Sequence, residues 1–160
     1  MHKTACILLL AVTLLAIALL AGCRMDTVTL YFPEGDTGTL AAEERAITDT
    51  EDYERAAILA LMEGPRTEGL VAPIPAGTQL LDFKIDGKVA VIDFSEEIRT
   101  NHPGGSMGEM LTIYAIADTM GGLPTVERVK ILVEGQEIET LLGHMDASGE
   151  IDPNWDIVKE

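Results

Sequence analysis

Thiols, aromatic rings and positive charge are all scarce in this 160-residue chain. Its two cysteines, Cys6 and Cys23, both fall near the start, so no disulfide can staple residues 24–160. Aromatic residues make up only 4%, which leaves few rings on which a sugar could stack. Eleven Lys and Arg stand against 27 Asp and Glu, a net charge of −16. Phosphate backbones and anionic headgroups repel such a surface, so nucleic acid is excluded as a partner. The three histidines show no H-x-x-x-H or H-E-x-x-H spacing, and no paired-cysteine motif exists, so neither a metal nor another cofactor is expected. The nucleophile pattern G-x-S-x-G is missing too, because Ser106 lies in Gly104-Gly105-Ser106-Met107-Gly108. Internal repeats and low-complexity linkers are absent.

What is present begins with an apolar run over residues 5–21, preceded by His2-Lys3 and closed by Leu20-Ala21-Gly22-Cys23. That ending resembles the lipobox of bacterial lipoproteins. The resemblance implies a signal peptide over residues 1–22, cleavage before Cys23, and a diacylglycerol on the Cys23 thiol. The competing reading is an uncleaved anchor helix, since such a run sits at the short limit for crossing a bilayer. Both place the body outside the cytoplasm, at the cell membrane or on its periplasmic face. Without Lys3, 10 basic residues face 27 acidic ones. The remaining length suits a single domain, expected over residues 23–146, with a polar tail over 147–160 whose large anchor is Trp155.

Along the body, Thr27-Val28-Thr29-Leu30-Tyr31-Phe32 alternates at period 2 and stops at Pro33, predicting a strand. Residues 40–47 have a mixed pattern and read as a short extended edge segment. Residues 51–63 predict a first helix, with Tyr53, Ala57, Ala60 and Leu61 on one face, Thr48 and Glu51 at capping-box spacing, and Gly64-Pro65 as the stop. Its unbroken apolar stretch over 56–62 predicts cover on more than one side. Residues 79–85 and 88–94 flank Asp86-Gly87, a type I′ hairpin signal. Ser106 and Glu109 form an S-x-x-E capping box opening a second helix, with Met110, Leu111, Tyr114 and Ala117 on one face and Gly121-Gly122 at its end. Residues 129–134 read as a strand, Gly135-Gln136 as a turn and 137–141 as a returning partner. The expected fold is α+β, a mostly antiparallel sheet with two helices packed on one face, in the order β-α-β-β-α-β-β.

In that order the chain carries Val28-Thr29-Leu30-Tyr31-Phe32-Pro33, Glu43-Glu44-Arg45, Gly64-Pro65, Glu68-Gly69-Leu70, Pro73-Ile74-Pro75-Ala76-Gly77-Thr78 and Val91-Ile92-Asp93-Phe94-Ser95. Asn101-His102-Pro103-Gly104-Gly105-Ser106, Leu111-Thr112-Ile113-Tyr114, Val133-Glu134-Gly135-Gln136 and Gly143-His144 come next. This succession resembles the GerMN domain of sporulation and spore germination lipoproteins. The resemblance implies an extracytoplasmic, often lipid-anchored α+β module with no established catalytic activity. Its best-known members carry two such modules and help assemble a channel-like complex between mother cell and forespore, whereas this chain carries one.

Candidate site residues are few. His144 and Asp146, two apart, would share a face on a strand, and His102, Gly104 and Gly105 form a turn ahead of the second helix; these five make the candidate binding surface. Three functional classes are compatible with them. The first is a non-catalytic interaction or scaffold module, anchored through Cys23 and docking envelope or sporulation proteins or a second copy of itself. The second is an envelope lipoprotein that binds a small ligand or peptidoglycan. The third, a hydrolase, requires His102, His144 and Asp146 or Asp93 to converge in one cleft.

Overall fold

The computed structural model describes residues 26–48 and 51–159. The expected leader and Cys23 lie outside them. Strand β1 (Asp26–Pro33) turns back through a short loop into β2 (Leu40–Ile47), and the two form an antiparallel hairpin. Helix α1 (Tyr53–Met62) is next, then β3 (Leu80–Asp86), β4 (Val89–Phe94), a one-turn helix α2 (Glu97–Thr100), the long helix α3 (Ser106–Gly121), β5 (Arg128–Val133) and the two-residue β6 (Gln136–Glu137). A 3₁₀ turn, Trp155–Ile157, ends the described chain. The second sheet has the order β3-β4-β5-β6. Its β4–β5 pair is parallel and the other two pairs are antiparallel.

The fold is therefore α+β and mostly antiparallel, as expected, but the element order is β-β-α-β-β-α-α-β-β. The added strand is β2, a full eight-residue partner of β1 rather than a short edge segment. Its pattern is mixed because two residues on its core-facing side, Glu43 and Arg45, are charged. They are buried as an ion pair. The Arg45 guanidinium also donates to the Ala60 and Gly64 carbonyls at the end of α1, which meets orphan acceptors of the helix C-terminus.

One core lies between the sheets and helices. Val28, Leu30 and Phe32 from β1 meet Ala57, Ile58 and Leu61 from α1, Ile113, Ile116 and Met120 from α3, and the inward rows Ala90-Ile92-Phe94 and Val129-Ile131-Val133. Parity explains those rows, because alternate residues of a strand share a face and the β4–β5 register aligns Ala90 with Val129 and Ile92 with Ile131. Helix α1 starts at Tyr53 with Asp52 as N-cap, five residues past Thr48, so the expected Thr48–Glu51 box does not define its start. Ala57, Ile58, Ala60 and Leu61 are buried against β1, β2 and α3, the expected cover on more than one side, while Leu59 faces outward.

Turn chemistry is displaced by one residue. Asp86 pairs with Val89, so Gly87 and Lys88 form the β3–β4 turn, and only Gly87 has positive φ, at 61°. That is a II′-like turn, not the expected I′. The hairpin turn with two positive φ values is instead the one joining β5 to β6, at Glu134 (52°) and Gly135 (72°). Beyond Glu137 the expected returning strand is irregular.

The polar C-terminal segment packs on the body. Ile151 bridges Val129, Val158 bridges Leu40, and Trp155 meets Tyr31 edge-on at 5.6 Å between ring centroids.

Candidate functional site

Helix α3 positions the two histidines, through Thr112 and Glu109. Gly104 and Gly105 precede it with φ of 89° and 86°, a region that costs a side-chain-bearing residue energy. Gly105 is the N-cap, and Ser106, the first helical residue, makes no capping bond. The glycines come after the short helix α2, so they turn helix into helix rather than strand into helix.

The expected capping box is thus corrected. Glu109 is fully buried and serves a different segment. One carboxylate oxygen accepts the Leu141 and Leu142 N–H groups at 3.0 and 2.7 Å. The other accepts the His144 backbone N–H and the His144 Nδ1–H, both at 2.8 Å. A buried carboxylate persists only when its lone pairs are filled, and the irregular stretch after Glu137 supplies amides with no strand partner. Burial opposes the charge, yet the bonds from Leu142 and His144 outweigh it and hold Glu109 below the usual carboxylate pKa.

His102 is equally occupied. Its Nε2–H donates to Thr112 Oγ1 at 2.9 Å, since that hydroxyl already donates to the Pro73 carbonyl at 2.7 Å, and its Nδ1 accepts the Gly104 N–H at 3.0 Å. The ring is the neutral Nε2–H tautomer, consistent with a pKa pushed down by burial against the opposing pull of Glu109. Asp146 does not lie on a strand beside His144. It closes a local turn, accepting the Ser148 N–H at 2.9 Å and hydroxyl at 2.6 Å. Asp93 accepts the Gly135 N–H at 2.9 Å and pins the β5–β6 turn.

The candidates gather around the start of α3 without converging. Ser106, His144 and Asp146 line one open groove of about 680 Å³, while His102, Gly104 and Gly105 line another of about 360 Å³. Glu109 orients His144 as a base-orienting acid would, but among the described residues no hydrogen bond joins Ser106 to the imidazole. Among the described residues, no group of three or more His, Cys, Asp or Glu is placed to hold a metal ion.

Between the grooves stands a ridge whose spacing in the sequence predicts a core face. Met107 is 49% exposed and walls both grooves. Met110 and Tyr114 stand at i+3 and i+7, partly buried. Met145 joins them across the larger groove. Methionine is unbranched and polarizable, which suits a surface that must fit another protein. The i, i+3, i+7 spacing is visible in the sequence, but the same spacing describes a buried face. Glu109 leaves no signal beyond a plausible cap.

The family model described as sporulation and spore germination, Germane, matches residues 29–139. No curated protein sequence matches the chain. Among solved structures, a candidate lipoprotein of Clostridium perfringens is 27% identical, with a TM-score of 0.59 over 80% of this chain and 87% of that one. The tandem GerMN domains of the sporulation protein GerM from Bacillus subtilis align with a TM-score of 0.63 at 20% identity, over 82% of this chain and 47% of that one. The first GerMN domain of the same protein gives 0.65 at 19% identity, over 82% and 98%. These last two share the fold. With the matched region running from the first strand to the end of the second sheet, the chain belongs to the Germane family of sporulation and spore germination domains.

Proposed function

We propose that this protein is a non-catalytic, lipid-anchored interaction module that works outside the cytoplasm and docks envelope or sporulation proteins through the methionine ridge of α3. The observation that carries this reading is the division of labour around that helix. Every ionisable candidate is committed to internal hydrogen bonds, while exposed Met107 stands between two open grooves and the partly buried Met110 and Tyr114 continue its line along the larger one. A catalytic centre needs the reverse, free polar groups converging on one point.

The anchor rests on Leu20-Ala21-Gly22-Cys23, and the Clostridium perfringens relative described as a lipoprotein supports it. No helix of the described residues is long and apolar enough to cross a membrane. Two or three acyl chains on Cys23 supply the attachment, at about 0.8 kcal/mol per buried CH₂.

The test places a photo-crosslinking amino acid at Met107 in cells expressing the full chain. The expected result is a discrete adduct with an extracytoplasmic protein, absent when the probe sits at exposed Glu68. Equal, diffuse labelling from both positions overturns the ridge. Separately, Cys23→Ser is expected to leave the leader uncut and the chain without acyl label; normal processing overturns the anchor.

A further inference from the structure

We propose that the free edge of β3 pairs with the β3 of a second copy, making one antiparallel sheet across a symmetric dimer. This goes beyond the docking ridge and uses a different surface, so either can fail without the other.

The four-stranded sheet begins at β3, and no strand covers its outer side among the described residues. Asp86 and Val89 close a two-residue hairpin, so they form a hydrogen-bonded pair, and so do Lys84 and Val91 two steps along. The intervening residues then turn their backbone groups the other way. The N–H and C=O of Phe83 and Ile85 therefore point away from β4, and neither has a partner among the described residues. Unpaired edges of this kind are templates for another strand unless charge, proline or cover blunts them.

The side chains decide what can pair. Asp82, Lys84 and Asp86 stand exposed on the outer face of the sheet, and none of their side chains has a hydrogen-bond or ion-pair partner among the described residues. Their signs alternate −, +, − at every second position. An antiparallel pair centred on Lys84 would set Lys84 against Lys84 and Asp82 against Asp86, which like charges oppose. Moving the centre to Phe83 sets Asp82 against Lys84 of the second copy, twice by symmetry. Phe83 then faces its own equivalent as a hydrogen-bonded pair, exchanging both bonds. In this register all seven residues of β3 overlap. Leu81, 46% exposed beside the bulge between Leu80 and Asp82, comes opposite Ile85. The half-buried Phe83 rings meet on the core side, where their free edges gain cover. The strand is complementary to itself, which selects a second copy of this chain as the occupant.

Each copy carries a net charge of −16, so the test runs at physiological ionic strength, where a screening length of about 8 Å damps repulsion between the bodies. The full chain is followed in detergent micelles by density-matched sedimentation equilibrium. A concentration-dependent dimer is expected. Lys84→Asp, an exposed change, is expected to weaken it about tenfold by turning two attractions into repulsions. The swap Asp82→Lys with Lys84→Asp is expected to restore it, because the opposite signs face each other again. The proposal is overturned by a monomer at every concentration, by a dimer indifferent to Lys84→Asp, or by a swap that fails to restore association.

Discussion

Removing Glu109 discriminates between the carboxylate's two possible roles. As the third residue of a capping box it would serve the start of α3, and its loss would cost about 1 kcal/mol and fray residues 106–108. In the observed position it accepts three backbone N–H groups and one imidazole N–H from residues 141–144. Glu109→Ala leaves those donors without an acceptor. Each stranded buried donor costs about 1–3 kcal/mol, and water reaches the half-exposed His144, so a total of about 3–5 kcal/mol is expected. That is a large part of the roughly 5–15 kcal/mol by which a domain is stable. Glu109→Gln keeps one oxygen for Leu141 and Leu142 but turns an amide N–H₂ toward the His144 N–H, so its cost should fall about 1–2 kcal/mol short of that of alanine. Because folding lowers the Glu109 pKa, the stability it adds is present above its ordinary value of 4.5 and is lost as pH falls through the lower folded value. Glu109→Gln should flatten that acid limb. Urea unfolding gives the energies, and hydrogen exchange locates them. Unchanged protection at Leu141, Leu142 and His144 in Glu109→Ala, with fraying at 106–108, would refute the assignment.

Two further perturbations test other buried charges. Arg45→Met strands the Glu43 carboxylate, which burial disfavours but which the Thr67 side chain, the Arg66 and Thr67 amides and Arg45 hold at a pKa of about 2; a loss of about 3–5 kcal/mol is expected in urea unfolding, and a loss under about 1 kcal/mol would contradict it. Asp118 is buried with one oxygen accepting the Asn154 N–H at 2.7 Å and the other unpartnered, and burial raises its pKa from 3.8 to about 6. The protonated group's stabilisation is full below about pH 4 and fades as pH rises through 6, so between pH 4 and pH 8 the wild type should lose about 2–3 kcal/mol relative to Asp118→Asn; parallel pH profiles for the two proteins would rule this out.

How much can be read from the sequence depends on which force sets each element. Where apolar alternation does, as in β1 and the β3–β4 hairpin, the pattern is enough. In β2 it fails, since Glu43 and Arg45 occupy inward positions that alternation expects to be apolar. Turn chemistry is legible as a neighbourhood but not as a register, because Asp-Gly succeeded by Lys admits closure one residue later. The candidate residues do form a neighbourhood of α3, yet their roles are not visible in the sequence. Glu109 meets its partners about 32 residues away, a separation no local motif reports. Met107, Met110 and Tyr114 carry the spacing of a core stripe, and only the packed neighbours reveal which side of α3 stays open.

Three of the buried acids, Glu43, Glu109 and Asp118, share a structural logic. Glu43 holds residues 66–67 after α1, Glu109 holds 141–144 after β6, and Asp118 holds Asn154 near the C-terminus. Each is planted on a regular element and reaches into an irregular segment that offers backbone N–H groups without strand partners. Left unmet, those donors would destabilise the fold by more than the burial of one carboxylate that satisfies several at once. After Cys23 the chain has no cysteine, so covalent staples are not open to it, and long connections must be fixed by polar contacts from the core outward. That arrangement commits these three carboxylates and the His144 imidazole to holding the fold, which is why the two proposed contacts rest on the apolar ridge and the strand edge instead.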